Sequence, residues 1–173
     1  MTSTAFVTIL CPDRTGLVSA ITAAIWEMGA NLADTNFSVL GGGADFSAVC
    51  DLPGGLDIAE LRAALAALPA LADAELTVQP YRYEPMHGPE GDVTHRITVS
   101  GGNQPGLVAR LCETFGDFRA NIVSLNAGPL SRDRDRYVIR LAVSIPENAA
   151  DACIATVANT AETMGLSWTA EPV

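Results

Sequence analysis

The residues best placed to do chemistry lie in Leu10-Cys11-Pro12-Asp13-Arg14-Thr15-Gly16-Leu17-Val18 and in its echo, Ser100-Gly101-Gly102-Asn103-Gln104-Pro105-Gly106-Leu107-Val108. Each follows a β-branched run, Phe6-Val7-Thr8-Ile9 or Arg96-Ile97-Thr98-Val99, and precedes apolar residues at helical spacing, so each is predicted to be a strand-to-helix elbow. The chemistry such an elbow offers is non-covalent. A glycine at the helix start lets the backbone approach a ligand, and the unpaired first-turn N–H groups point outward, which suits a carboxylate. Asp13 is placed to cap those N–H groups. The competing structural reading is that Gly16 and Gly106 only let each helix pack closely on its strand. Recurrence of the pattern in register favours binding.

Covalent chemistry has less to work with. The stretch Gly101-Gly102-Asn103-Gln104-Pro105-Gly106 could be taken for a phosphate loop, but there is no G-x-G-x-x-G, no lysine, and no acid about 20 residues on to hold a ribose. His87 falls in a linker and His95 at a strand start, and no nucleophile is tied to either by spacing. The expectation is a protein that is not an enzyme, with no catalytic residue and no cofactor. The cysteines, Cys11, Cys50, Cys112 and Cys153, show no C-x-x-C pair and no zinc-ligand spacing, so they read as reduced and metal-free. Cys11, in the first elbow, is the thiol expected to be exposed and reactive, although Gly101 at the matching position argues against a shared thiol chemistry.

The composition, 49% hydrophobic over 173 residues, is that of a globular protein. The formal net charge is −10, and all ten basic residues are arginine. Such a balance opposes direct binding of nucleic acid, which requires a basic face. The densest basic run, Arg132, Arg134, Arg136 and Arg140, alternates with Asp133 and Asp135 and reads as a solvated hairpin tip. No apolar run approaches the roughly 20 residues that span a bilayer, and Met1-Thr2-Ser3-Thr4 lacks the positive region of a secretory signal. The expected location is the cytoplasm, with no membrane contact.

The elements that must position the elbows follow from periodicity. A strand over 5–10 leads through the first elbow to a helix over 15–28, whose Leu17, Ile21, Ala24, Ile25 and Met28 share one face and whose stop is Gly29. Strands over 31–40 and 44–52 flank Gly41-Gly42-Gly43, a helix over 57–68 carries Ile58, Leu61, Leu65 and Leu68, and a strand over 75–83 closes the unit. With right-handed connections this order is an α+β, ferredoxin-like βαββαβ arrangement: a four-stranded antiparallel sheet with both helices on one face. The stretch 85–92, rich in Pro, Gly and charge, is the expected linker between a domain over 1–84 and a second over 93–173. The second plan has strands over 93–100, 120–130, 136–145 and 166–170, helices over 105–118 and 147–164, and a turn over 131–135. At an offset of ninety, Thr8 falls on Thr98, Gly16-Leu17-Val18 on Gly106-Leu107-Val108, Ala30-Asn31 on Ala120-Asn121, and Asn36 on Asn126. Asn31 and Asn121 are either turn-stabilising amides or ligand contacts. Exposed edge strands in such small sheets favour assembly, so a homodimer is expected.

Asp13-Arg14-Thr15-Gly16-Leu17 followed by Gly29-Ala30-Asn31-Leu32 resembles the signature of the ACT domain, as does Asn103-Gln104-Pro105-Gly106-Leu107 with Ala120-Asn121-Ile122. The resemblance implies the βαββαβ module derived above and the binding of an amino acid or similar small ligand where two modules meet, near the elbow. A chain made of two such modules is similar to the glycine-cleavage-system repressor type of ACT protein. That similarity implies regulation by modulating a protein partner, a transcriptional activator, without direct contact with nucleic acid. Carried over by position, the ligand-binding residues are Asp13, Arg14, Thr15, Gly16, Leu17 and Asn31 in the first module. In the second they are Asn103, Gln104, Pro105, Gly106, Leu107 and Asn121. The main chain would hold the ligand carboxylate and Asp13 its ammonium group, a charge that Asn103 lacks. Arg119 replaces the glycine expected before Ala120, and Thr15 stands opposite Pro105, so the two sites are expected to differ.

Overall fold

A computed structural model of the chain describes residues 3–84, 88–130 and 133–173. The chain divides into two compact units, Met1–Tyr83 and Glu84–Val173. In the first, β1 (Ser3–Pro12), α1 (Leu17–Glu27), β2 (Asn31–Leu40), β3 (Gly43–Leu52), α2 (Ile58–Ala66) and β4 (Glu75–Pro80) follow one another. The second repeats the order as β5 (His95–Gly102), α3 (Leu107–Asp117), β6 (Asn121–Leu130), β7 (Asp133–Ser144), α4 (Ala150–Thr163) and β8 (Ser167–Pro172). The sheets run β2-β3-β1-β4 and β6-β7-β5-β8, and every pairing is antiparallel. Both units are therefore ferredoxin-like βαββαβ folds. Among the described residues no helix is long and apolar enough to cross a membrane.

Alternation along the strands decides where each core lies. Ala5, Val7, Ile9 and Cys11 face the helices and pair with Cys50, Ala48, Phe46 and Ala44, all buried. Leu17, Ile21, Ala24 and Ile25 of α1, with Leu61 and Leu65 of α2, close over them. The second core sets Ile97, Val99, Ile139 and Leu141 beneath Leu111, Phe115 and Val157. Each such side chain, taken fully out of water, contributes about 1.5–3 kcal/mol.

The helices cover one face of each sheet; on the other, the open face, Val49, Val138 and Ala142 are buried while most of the polar residues are exposed or partly exposed. On the open face of the first sheet, Asn36, Ser47, Thr8 and Thr77 form a row across four strands, and Ser38, Asp45, Leu10 and Glu75 form the next. The matching row of the second sheet is Asn126, Arg140, Thr98 and Thr169. The expected turn over 131–135 is shorter than its sequence suggests, because Asp133 already pairs with Leu130 and β7 runs on from there; Ser131 and Arg132 lie outside the described residues. Arg136 and Arg140 are accordingly strand residues on an open sheet face, not a solvated tip. The helix expected over 147–164 is broken at its start into a 3₁₀ turn, Glu147–Ala149, after Pro146.

Candidate functional site

The two elbows are built by the same main-chain bonds. The Asp13 amide donates to the Gly42 carbonyl (3.0 Å) and the Asn103 amide to that of Asp135 (3.1 Å), which ties each loop to the neighbouring hairpin. Leu17 and Leu107 donate to the carbonyls of Arg14 and Gln104 at 3.2 and 3.3 Å, and the helices then begin. Gly16 and Gly106 are the N-cap residues, left-handed at φ 85° and 79°. A Cβ placed on either would meet nothing within 4 Å. Close packing of helix on strand is therefore not why glycine stands there. The left-handed backbone is the reason, at a cost of roughly 1–2 kcal/mol to any residue with a Cβ.

Neither helix carries a side-chain cap. The Asp13 carboxylate, expected to cap α1, does not, because the chain turns through Arg14, Thr15 and the left-handed Gly16 before the first helical residue. The contrast is α2, where Asp57 accepts from the Glu60 amide (2.8 Å) and Glu60 from the Asp57 amide (2.9 Å). Among the described residues the amides of Gly16, Val18 and Ser19, and of Gly106, Val108 and Ala109, meet no acceptor. Each elbow thus presents main-chain donors and open space together.

The side chains around them differ. Asp13, Thr15, Asn103 and Pro105 are exposed, while Leu17 and Leu107 are buried and bring only their backbone to the elbow. Arg14 reaches Asp73 (3.5 Å), and at the matching place Gln104 donates to the Met164 carbonyl (3.0 Å). Both brace the elbow against the segment that follows the second helix of the unit.

Asn31 and Asn121 lie elsewhere. Each starts the strand after the helix, and a helix of 11 residues separates it from its own elbow, about 16 Å along the axis. Asn121 donates to the Glu90 carbonyl (2.7 Å) and so pins the segment entering the second unit. Exposed Asn31 borders a hollow of about 420 Å³ beside Trp26, and Asn121 one of about 200 Å³ beside Arg119 and Ser144. The Asn31 hollow reaches Ser19 in the first turn of α1 but no residue of 10–18, and the Asn121 hollow includes no residue of the second elbow. Arg119, where the first unit has Gly29 at φ 77°, is itself left-handed at φ 55°.

Cys11 is buried, not exposed as expected, since the alternation of β1 turns it into the core. Burial raises its pKa, opposed in part by Arg14. Gly101, its counterpart, is filled by Leu166: a Cβ there would run into the leucine side chain. Cys50, pushed up to about 11 by burial and by Asp51, and Cys153, raised by burial, are likewise core thiols. His95 Nδ1 lies 2.9 Å from Thr94 Oγ1, and that hydroxyl donates to the Val143 carbonyl and accepts from the Ile145 amide, a staple of the β5 start. His87 lies outside the described residues.

No curated protein matches the sequence. Among solved structures, an unknown protein from Galdieria sulphuraria is similar with TM-score 0.76 at 20% identity, over 100% of this chain and 99% of that one. A second, which carries the provisional name of glycine cleavage system transcriptional repressor, is similar with TM-score 0.68 at 12% identity, over 100% of this chain and 98% of its own. At such identities the likeness is one of fold. The ACT domain family itself matches residues 3–79 and 96–171, one match for each βαββαβ unit. On that coverage the chain belongs to the ACT domain family, as two ACT domains in tandem.

Proposed function

We propose that this protein is a non-catalytic regulator that binds a small amino acid, of the size of glycine or serine, at an ACT elbow and thereby changes its affinity for a protein partner. The observation that carries the reading is the repeated elbow, an uncapped helix start whose left-handed glycine faces open space. A carboxylate there would accept from the amides of Gly16, Val18 and Ser19. Asp13 gives the first elbow a second contact, for the ammonium group, that Asn103 cannot match with charge. The neighbour provisionally named a glycine cleavage system transcriptional repressor fits a regulatory role, and the partner we favour is a transcriptional activator. The protein would act without touching nucleic acid, in keeping with a net charge of −10.

Regulation of this kind is differential binding. An amino acid that holds one state of the protein tenfold more tightly than another moves the equilibrium by about 1.4 kcal/mol, and no more. Titration calorimetry with glycine and with serine tests the site: binding by the parent, weakened roughly tenfold in Asp13→Asn as a charge-assisted bond becomes a neutral one, is the expected result. Unchanged affinity in Asp13→Asn removes Asp13 from the site. The alternative, a ligand-free interaction module, becomes the better account when partner capture proceeds identically with and without either amino acid.

A further inference from the structure

The open faces of the two sheets carry opposite charge. On the first, the ionisable residues at described, paired strand positions are Asp45, Asp51 and Glu75, all carboxylates. On the second, at described and paired positions, they are Arg96, Arg136 and Arg140, with one carboxylate, Glu171, beside Arg96. The described ion pair, between Arg14 and Asp73, engages none of them. Arg96, Arg136, Arg140 and Glu75 are exposed. In a chain with twice as many acidic as basic residues, 20 against 10, gathering three arginines on one sheet face runs against composition and asks for an acidic partner.

From this we infer that the acidic open face of the first sheet docks on the basic open face of the second sheet of another copy of this chain, so that a two-fold dimer contains the contact twice. The spacings agree. Asp45 and Glu75 stand on β3 and β4, on either side of β1, and are about 10 Å apart. Arg140 and Arg96 stand on adjacent strands two residues out of step, about 8 Å apart.

Relief agrees as well. On the first face Phe6, Leu10 and Leu40 stand out as large apolar residues, Leu10 half-exposed and Leu40 more so, and the second face is low, with Ser100 and Gly102 of β5 and Val138 and Ala142 of β7. Four strands of about six paired residues make a face of roughly 19 by 20 Å. Four such faces, two in each contact, cover about 1,500 Å², within the range of stable dimers. The proposal is independent of the amino-acid reading, since neither elbow takes part in it.

The test is sedimentation velocity on the full chain and on two charge-reversed variants, Asp45→Arg/Glu75→Arg and Arg96→Glu/Arg140→Glu. The parent is expected to dimerise, with a dissociation constant that rises about tenfold or more between 50 and 500 mM salt. Each variant alone is expected to be monomeric, because like charges then face each other. An equimolar mixture of the two is expected to dimerise again, since both contacts regain opposite signs. Circular dichroism melts of each variant establish that it is folded, and Gln in place of the reversed charges serves where one is not. The inference is overturned by a parent that is monomeric at every salt concentration, by variants that dimerise alone as the parent does, or by folded variants whose mixture stays monomeric. A parent that stays monomeric but is retained by a short single-stranded oligonucleotide would give the arginine face to nucleic acid and overturn it too.

Discussion

The clearest quantitative consequence of the duplication lies at the residue after the first helix of each unit. Gly29 holds φ 77° and Arg119 holds φ 55°, so the same left-handed stop is made once by the residue suited to it and once by one with a Cβ. The left-handed conformation costs a residue with a Cβ about 1–2 kcal/mol, and glycine returns part of that, roughly 0.4–1 kcal/mol, through its freer unfolded state. Arg119→Gly is therefore expected to stabilise the second unit by about 0.5–1 kcal/mol, and Gly29→Ala to destabilise the first by a similar amount. Steric conflict does not confuse the second change, since a Cβ at Gly29 meets only Pro53 Cγ, at 3.6 Å. For units of this size 1 kcal/mol moves the melting midpoint by about 4–8 °C. The two tryptophans allow the units to be followed separately. Trp168, partly buried with its Nε1 donating to Glu162 (3.4 Å), reports the second unit in a Trp26→Phe background, because Trp26 is 75% exposed on the first. Urea unfolding followed by Trp168 should show the Arg119→Gly midpoint raised with the slope unchanged. A midpoint that stays put or falls would mean that Arg119 gains from its side chain what its backbone loses, and the strain argument would be refuted.

Two further outcomes follow from the cores. Gly101→Ala should cost about 1–3 kcal/mol by driving a methyl group into Leu166, and adding Leu166→Ala should cost less than the sum of the separate changes, a coupling that double-mutant unfolding measures directly. The Cys50 pKa, raised from 9.0 to about 11, means that the folded first unit keeps a neutral thiol while the unfolded chain ionises. Stability from this source is complete below pH 9 and is lost as the pH climbs toward 11, by on the order of 2 kcal/mol. Urea midpoints taken across that window should fall in the parent and fall less in Cys50→Ala.

The architecture was legible because it is written in periodicities. The strand read over 31–40, between the helix stop at Gly29 and the turn at Gly41-Gly42-Gly43, matches β2 to the residue, and the helical stripe of Leu17, Ile21, Ala24 and Ile25 is the buried face of α1. The bond-for-bond likeness of the elbows follows from the matched glycines. What escaped were relations between elements. Asp13 stood near a helix start in sequence, but the left-handed turn between them carries its carboxylate out of capping range. Cys11 looked like a loop residue, and the strand reaches Pro12, so its side chain is core. Arg136 and Arg140 were masked by the aspartates that alternate with them, and their association with Arg96 needs the register of β5 against β7, which no local pattern contains.

The same comparison says where the two domains are alike and where they have parted. At the elbows, beyond the buried Leu17 and Leu107, what is repeated is main chain: the tie to the hairpin carbonyl, the left-handed glycine, the uncapped helix start. Everything altered is side chain: Asp13 against Asn103, Arg14 bound to a carboxylate against Gln104 bound to a carbonyl, an acidic open face against a basic one. Carboxylate recognition needs only the first set, so both elbows keep the means for it. Recognition of an ammonium group and pairing with a second copy need charge, which belongs to the second set. On the proposed reading, a duplicated backbone with diverged side chains would supply two elbows for a carboxylate, the Asp13 elbow suited to a zwitterion, and two sheet faces of unlike charge for the inferred pairing of copies.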